Sequence, residues 1–141
     1  MPSRPSVLFV CVKNGGKSQM AAALMRRWAG DAVEVHSAGT RPGDTINDLS
    51  ARAVSEVGAD MSDEVPTVID PEVLRSVDRV VLVGSEAEVA PVPGMVGTIE
   101  VWETDEPSRH GIEGLERMRL VRDDIDVRVR RLAAELGVDP S

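Results

Sequence analysis

A near-continuous apolar, β-branched-rich run, Ser6-Val-Leu-Phe-Val-Cys-Val12, breaks directly into a glycine-bearing loop and then a helical pattern. A strand that alternates apolar and polar residues can leave one face in water, whereas one that is apolar at nearly every position must be covered on both. The run is therefore expected to be a central strand. Gln19 to Ala29 supplies one cover, with Met20, Leu24 and Trp28 at helical spacing among good helix formers and Gly30-Asp31 ending the pattern. The alternation then repeats. Val33 to Ser37 reads as a second strand, and Asp48 to Val57 as a second helix with Leu49, Ala53 and Val57 on one face and Gly58 stopping it. Asp70 to Ser76 reads as a short helix with Pro71 in its first turn, Arg79 to Val83 as a third strand and Thr98 to Trp102 as a fourth, beyond a loop at Pro91 to Gly94. Glu113 to Leu136 is a long amphipathic helix whose apolar line is Leu115, Met118, Ile125, Val129, Leu132 and Leu136. Strands that alternate with helices pair in parallel through right-handed crossovers. The expected fold class is α/β, a single domain over residues 1–141 with a four-stranded parallel sheet and helices on both faces. Ligands are expected at the carboxyl ends of the strands.

Composition narrows what such a domain can do. With 16 Lys plus Arg against 24 Asp plus Glu, the net charge of -8 repels the phosphates that dominate nucleic-acid affinity, so no nucleic-acid partner is expected. No apolar run approaches the length of a membrane span and no cleavable leader pattern is present, which reads as a cytoplasmic protein without a membrane partner. A single cysteine excludes an internal disulfide and fits a reducing compartment. Aromatics are few, Phe9, Trp28 and Trp102 with no Tyr, leaving little with which to wall a pocket for an aromatic ligand. His36 and His110 stand apart from other ligand-type residues; both are expected to be structural or solvated, and no metal site is expected.

Chemistry concentrates in Cys11-Val12-Lys13-Asn14-Gly15-Gly16-Lys17-Ser18, the loop that joins the first strand to the first helix. Gly15 and Gly16 permit close backbone approach, so the amides of Val12 to Ser18 can turn inward as a nest backed by the positive end of the helix. Oxyanion binding is the natural reading. Cys11 at the rim would feel those amides, the helix dipole, Lys17 and the Ser18 hydroxyl, all of which favour thiolate and make it a nucleophile. Alone, a cysteine at a strand end is ordinarily a small hydrophobe; here the flanking loop, which holds the chain's only two lysines, Lys13 and Lys17, decides otherwise. Gly16-Lys17-Ser18 would complete a nucleotide phosphate loop, GxxxxGK[ST], only if position 11 were Gly, and no later strand ends in an acidic residue suited to magnesium. A second constellation, Trp102-Glu103-Thr104-Asp105-Glu106-Pro107, follows the fourth strand and would share the same sheet edge. One of its carboxyls could serve as a general acid for a departing oxygen, although taken alone it reads as an acidic surface loop.

With these residues in view, the chain resembles the low-molecular-weight protein tyrosine phosphatase superfamily over nearly its whole length. The signature of that superfamily is a Cys, five residues, then Arg and Ser, with an acid-plus-Pro loop late in the chain. Cys11, Asn14 and Ser18 match the first part, and Ser37-Ala-Gly-Thr40 is similar to the family's second-strand ending. Within the superfamily, Cys11 to Leu24, Glu106-Pro107 and Arg119-Leu-Val-Arg-Asp123 look most like the arsenate reductases called arsenate-mycothiol transferases. The resemblance implies that Cys11 attacks arsenate, that Lys17 and the amides of Asn14 to Ser18 hold its oxygens, and that Glu106, or Asp105 in its place, protonates the departing oxygen. Mycothiol would be the co-substrate, with no bound cofactor, taking arsenic from Cys11 as an adduct that a glutaredoxin-like reductase converts to arsenite. Reduction of arsenate takes two electrons and a thiol pair can supply them, so with one cysteine the second thiol must come from outside. Thioredoxin-coupled relatives carry two further cysteines, which this chain lacks, and Ala22 and Thr67 stand where their monovalent-cation site would place carboxylates.

Departures from the pattern shape the alternatives. Lys13 stands where Gly is usual, and Lys17 replaces the customary Arg, exchanging a planar two-pronged donor for a point charge. Hydrolysis of phosphate esters through a phosphocysteine is thus the alternative enzyme reading, expected to be weak. A non-catalytic oxyanion-binding module is the third.

Overall fold

The computed structural model describes residues 4–104 and 111–138. Its elements are β1 (Ser6–Cys11), α1 (Lys17–Ala29), β2 (Glu34–Gly39), α2 (Asp48–Ser55), α3 (Pro71–Ser76), β3 (Arg79–Val83), β4 (Thr98–Trp102) and α4 (Gly114–Glu135). All strands are parallel and lie in the order β2-β1-β3-β4, with Phe9 of β1 paired to Ser37 on one side and Val81 on the other. The chain steps from β1 outward to β2 and later crosses back to β3. The strand order therefore reverses at β1, and loops at its carboxyl end part to leave a crevice. Cys11 is the last residue of that strand.

Pleat alternation explains why β1 had to be apolar throughout. Val7 and Phe9 point into a large cluster with Val81, Val83 and Trp102 of the neighbouring strands and Met20, Leu24, Val54 and Ile125 of α1, α2 and α4. Leu8 and Val10 point the other way, into a smaller cluster with Val80, Leu82, Leu74 of α3 and Ala87. Val7, Leu8, Phe9 and Val10 are at most 1% exposed. Helices thus cover both faces, three on one and the short α3 on the other.

Local chemistry sets the element ends. Asp70 caps α3 by accepting from the Glu72 N–H, with Pro71 just inside, and Asn47 caps α2 by accepting from the Ser50 N–H. Two expectations shift. α1 begins at Lys17, two residues early, because Gly16 O already accepts from the Met20 N–H. α2 stops at Ser55, so Val57 falls beyond it and is exposed, and Val54 takes the inward position beside Ala53. On α4, Val121 joins Met118, Ile125, Val129 and Leu132 in the core, while Leu115 and Leu136 are only partly buried. Among the described residues no helix is long and apolar enough to cross a membrane.

Candidate active site

The loop after β1 owes its shape to the segment after β2. The N–H groups of Thr40, Arg41, Gly43 and Asn47 donate to the carbonyls of Cys11, Val12, Lys13 and Gly15, at 3.1, 2.8, 2.9 and 2.7 Å. A trans peptide places each carbonyl opposite the following N–H. Holding those four carbonyls outward therefore turns the amides of Val12, Lys13, Asn14 and Gly16 to the side away from the 40–47 segment, the orientation from which a nest can be built. Close seating requires missing side chains on both partners. A Cβ on Gly39 would stand 2.7 Å from Val12 O, and one on Gly15 would stand 2.8 Å from Thr45 O. The Ser37-Ala-Gly-Thr40 ending is thus the dock for the first loop.

Asn14 locks the turn from within. It is fully buried and holds φ at 53°, the single positive value at a non-glycine among the described residues. Its Oδ1 accepts from Gln19 Nε2 at 3.1 Å and from the Thr67 N–H at 2.9 Å. With that end occupied by donors, Nδ2 must face Ser18, and it donates to Ser18 Oγ at 2.7 Å. Ser18 Oγ also lies 2.9 Å from Cys11 Sγ, close enough for its hydroxyl to donate to a thiolate. The Asn14 N–H also donates to Sγ, at 3.2 Å. Cys11 is only half-buried. Its sulfur faces the Asn14 N–H and the Ser18 hydroxyl, rather than the apolar packing of an inert cysteine.

The other sequence candidates fall in distinct places. Val12 packs its side chain against the smaller core cluster and contributes backbone to the loop. Lys13 is exposed on the loop's outer rim. Lys17 runs along the start of α1 toward the end of β3, where a Cβ built on Gly84 would lie 3.7 Å from Nζ. Gly15 seats against the backbone at Thr45, and Gly16 precedes α1 directly. Glu106, Asp105 and His110 lie outside the described residues. His36 sits on β2, its Nε2 3.0 Å from Glu34 Oε2, and that hydrogen bond holds the Glu34 carboxyl below its usual range. Trp102, which the sequence placed beside the acid loop, is turned into the core against Phe9 with ring centroids 5.7 Å apart. The two arginines of Arg119-Leu-Val-Arg-Asp123 reach across to Glu56 at the end of α2, at 2.6 and 2.8 Å. They clamp two helices together at a distance from the sulfur.

Sequence reasoning missed Gln19 and Thr67. Gln19 is 1% exposed, and its Nε2 also donates to Val65 O at 3.2 Å, so it fixes the loop and the 65–67 segment together. One signal was available: a lone amide in an otherwise apolar stretch, Met20 to Met25, behind an anion loop. Thr67 gave none, since its partners Asn14 and Ser37 are remote in the chain. Among the described residues no group of three or more His, Cys, Asp or Glu is placed to hold a metal ion.

A half-buried cysteine sulfur that accepts from the loop's Asn14 N–H and lies beside the Ser18 hydroxyl, at the point where a doubly wound parallel sheet reverses its strand order, defines a class of α/β domain with a cysteine at its loop crevice. Comparison with known families makes the assignment particular. Residues 6–141 match the family described as low molecular weight phosphotyrosine protein phosphatase, and the chain belongs to that family. A relative from Brevibacillus brevis, described as an arsenate reductase, is 36% identical over 135 residues, covering 94% of this chain and 97% of its own. Among solved structures, a thioredoxin-dependent arsenate reductase from Corynebacterium glutamicum superposes with a TM-score of 0.78 at 34% identity over 95% of this chain; the match spans 62% of that longer chain. An arsenate reductase in a phosphate-binding state superposes with a TM-score of 0.80 at 25% identity, covering 94% of this chain and 98% of the other.

Proposed function

We propose that this protein is an arsenate reductase that passes arsenic from its cysteine to an external small thiol, mycothiol. The observation that carries the reading is the half-buried Cys11 sulfur, facing the Asn14 N–H and the Ser18 hydroxyl at the mouth of an amide nest. The relatives described as arsenate reductases supply the choice of oxyanion.

The Cys11 thiolate attacks arsenic while the loop amides and Lys17 balance charge on the oxygens. An arsenic–oxygen bond breaks, and the oxygen leaves as water once a carboxylic acid, Glu106 or Asp105, has supplied a proton. The sulfur of mycothiol then attacks arsenic, the bond to Cys11 breaks and the Cys11 thiolate is restored. Arsenic stays pentavalent through both displacements. Reduction follows off this chain, when a thiol of a glutaredoxin-like reductase attacks the sulfur of the adduct, forming a disulfide and leaving the bonding pair on arsenic as arsenite. An outside thiol is required because the chain offers one cysteine. Ester hydrolysis with an aromatic leaving group is disfavoured, since Phe9 and Trp102 are consumed by the core.

The test is arsenite formation in the presence of mycothiol and its reductase. It should vanish on omission of mycothiol and in Cys11→Ala. Rapid thiol-independent hydrolysis of p-nitrophenyl phosphate, with no arsenite formed, would overturn the reading in favour of a phosphatase.

A further inference from the structure

Backbone amides and the Lys17 ammonium are donors only, so they recognise negative charge and oxygen lone pairs and nothing else about an oxyanion. Arsenate, phosphate and sulfate are all tetrahedral anions, and such donors attract all three. One chemical difference separates them: near neutral pH arsenate and phosphate keep at least one hydroxyl, whereas sulfate keeps none. Telling them apart therefore requires an acceptor beside the seat.

The fold brings a carboxylate to that place. β1 and β3 are parallel neighbours, with Val10 paired to Leu82, so the loops leaving their carboxyl ends run side by side along the crevice. The loop after β3 opens at Gly84, which is buried and holds φ at 101°. A Cβ there would stand 3.0 Å from Glu86 Oε2 and 3.7 Å from Lys17 Nζ. The missing side chain lets the exposed Glu86 fold back over the end of β3, so that its carboxylate and the Lys17 ammonium flank the same glycine. A carboxylate that merely neutralised Lys17 would weaken the charge an oxyanion needs. As an acceptor it complements the lysine, with the ammonium for a charged oxygen and the carboxylate for a protonated one.

We infer that Glu86 accepts a hydrogen bond from the hydroxyl of the bound oxyanion and so selects arsenate and phosphate over sulfate. That role rests on the oxyanion seat of the function proposed above and adds to it the residue that sets which anions enter. Sulfate has no hydrogen to offer the carboxylate, and the two like charges repel. Because Glu86 is exposed, water and salt screen that repulsion, so the expected discrimination is about tenfold, far below the ~10⁴-fold of a closed site.

Protection of Cys11 from iodoacetamide reads occupancy of the seat without turnover or mycothiol. Inorganic arsenate, phosphate and sulfate are the probes, each titrated at one constant ionic strength. In the wild type, arsenate and phosphate should protect at concentrations about tenfold below sulfate. Glu86→Gln, whose amide can donate to sulfate, should shrink that ratio to about threefold or less. Glu88→Gln removes the same charge from the same loop, also at an exposed position, and should leave the ratio intact. A Glu86 that only steadied Lys17 would shift all three anions alike. Equal protection by sulfate in the wild type would overturn the assignment, as would a ratio unchanged in Glu86→Gln, an equal change in Glu88→Gln, or protection by none of the three anions. The expected order of anions without arsenite formation on addition of mycothiol and its reductase would instead refute the proposed function and leave Glu86 as the residue that selects the oxyanion.

Discussion

Two bonding networks tie together segments remote in the chain, and they are built from opposite materials. Behind the oxyanion loop, neutral and almost wholly buried side chains do the joining: Asn14, Ser18 and Gln19 link the start of α1 to Thr67. Across α2 and α4 the joint is ionic and open to water, with Glu56 held by Arg119 and Arg122 and its side chain 37% exposed. The ionic joint has the higher charge, yet water and salt compete for each of its groups. In the buried network the loss of Asn14, Ser18 or Gln19 takes a partner from side-chain polar atoms of the others that are held out of water, and two of its members touch the sulfur. Burial, rather than formal charge, ranks the two.

Substitutions can break that ranking, and the largest effect belongs to the sulfur itself. Cys11→Ser should lower arsenite formation by about a thousandfold or more, as loss of a nucleophile does, while the unfolding temperature stays near that of wild type. An unfolding temperature many degrees lower would mean that Cys11 is mainly a packing residue. Asn14→Ala comes next, with an expected loss of about 2–4 kcal/mol in urea unfolding and a clear fall in turnover, because it takes a partner from the buried Ser18 hydroxyl and Gln19 amide and places a Cβ-bearing residue without a local hydrogen bond at φ 53°. Asn14→Gly separates the two causes: it relieves the backbone and still removes the side-chain bonds to Ser18 and Gln19. Should Asn14→Gly be as stable as wild type, the side-chain bonds contribute nothing.

Gln19→Leu, close in size and apolar, should cost about 1–2 kcal/mol and slow alkylation of Cys11 by iodoacetamide, since Asn14 loses one of the contacts that point its amide at Ser18. Unaltered alkylation would detach Gln19 from the sulfur.

Glu56→Gln should have the smallest effect at neutral pH, less than either buried substitution by the same unfolding assay. Its signature is in acid. The hydrogen bond from Arg119, then the field of Arg119 and the contact from Arg122, lower the Glu56 carboxyl from an ordinary 4.5 to about 2. A carboxyl depressed on folding adds stability above its unfolded value and loses that contribution as pH falls through the folded one. The wild type should therefore lose this increment between pH 4.5 and about 2, and Glu56→Gln should lack that part of the acid dependence. Parallel stability profiles for the two proteins would show that the clamp is energetically silent.

Much of the fold was legible because periodicity carries it. The unbroken apolar run at Val7 to Val10 demanded a central strand, and Met20 with Leu24 demanded a covering helix. The cysteine, glycines and Ser18 likewise pointed, by residue type and adjacency, to the loop where the structure places the cysteine sulfur beside Asn14 and Ser18. Val57 was misplaced for a local reason, since an inward position in a periodic pattern means little once the helix has ended. The packing of Trp102 on Phe9 was not legible, because a strand's last side chain can turn to either layer. Thr67 was invisible: a hydroxyl in a loop carries no pattern that points to a partner 53 residues away.

Sequence alone determined the order of strands and helices, the parallel sheet they require and the presence of one sulfur beside a flexible, lysine-bearing loop. Each of these follows from nearest neighbours in the chain, through side-chain periodicity and the conformational range of particular residues. Tertiary structure decided which way the loop amides face. That direction is set by hydrogen bonds from Thr40, Arg41, Gly43 and Asn47 to carbonyls of the first loop, and it exists only once β2 has paired alongside β1. It decided as well that Asn14 serves as an internal brace and that a cavity lies between the loop, the segment leading into α2 and α4. A backbone group has no identity to read in a sequence, so its partners become known only when the chain has closed on itself.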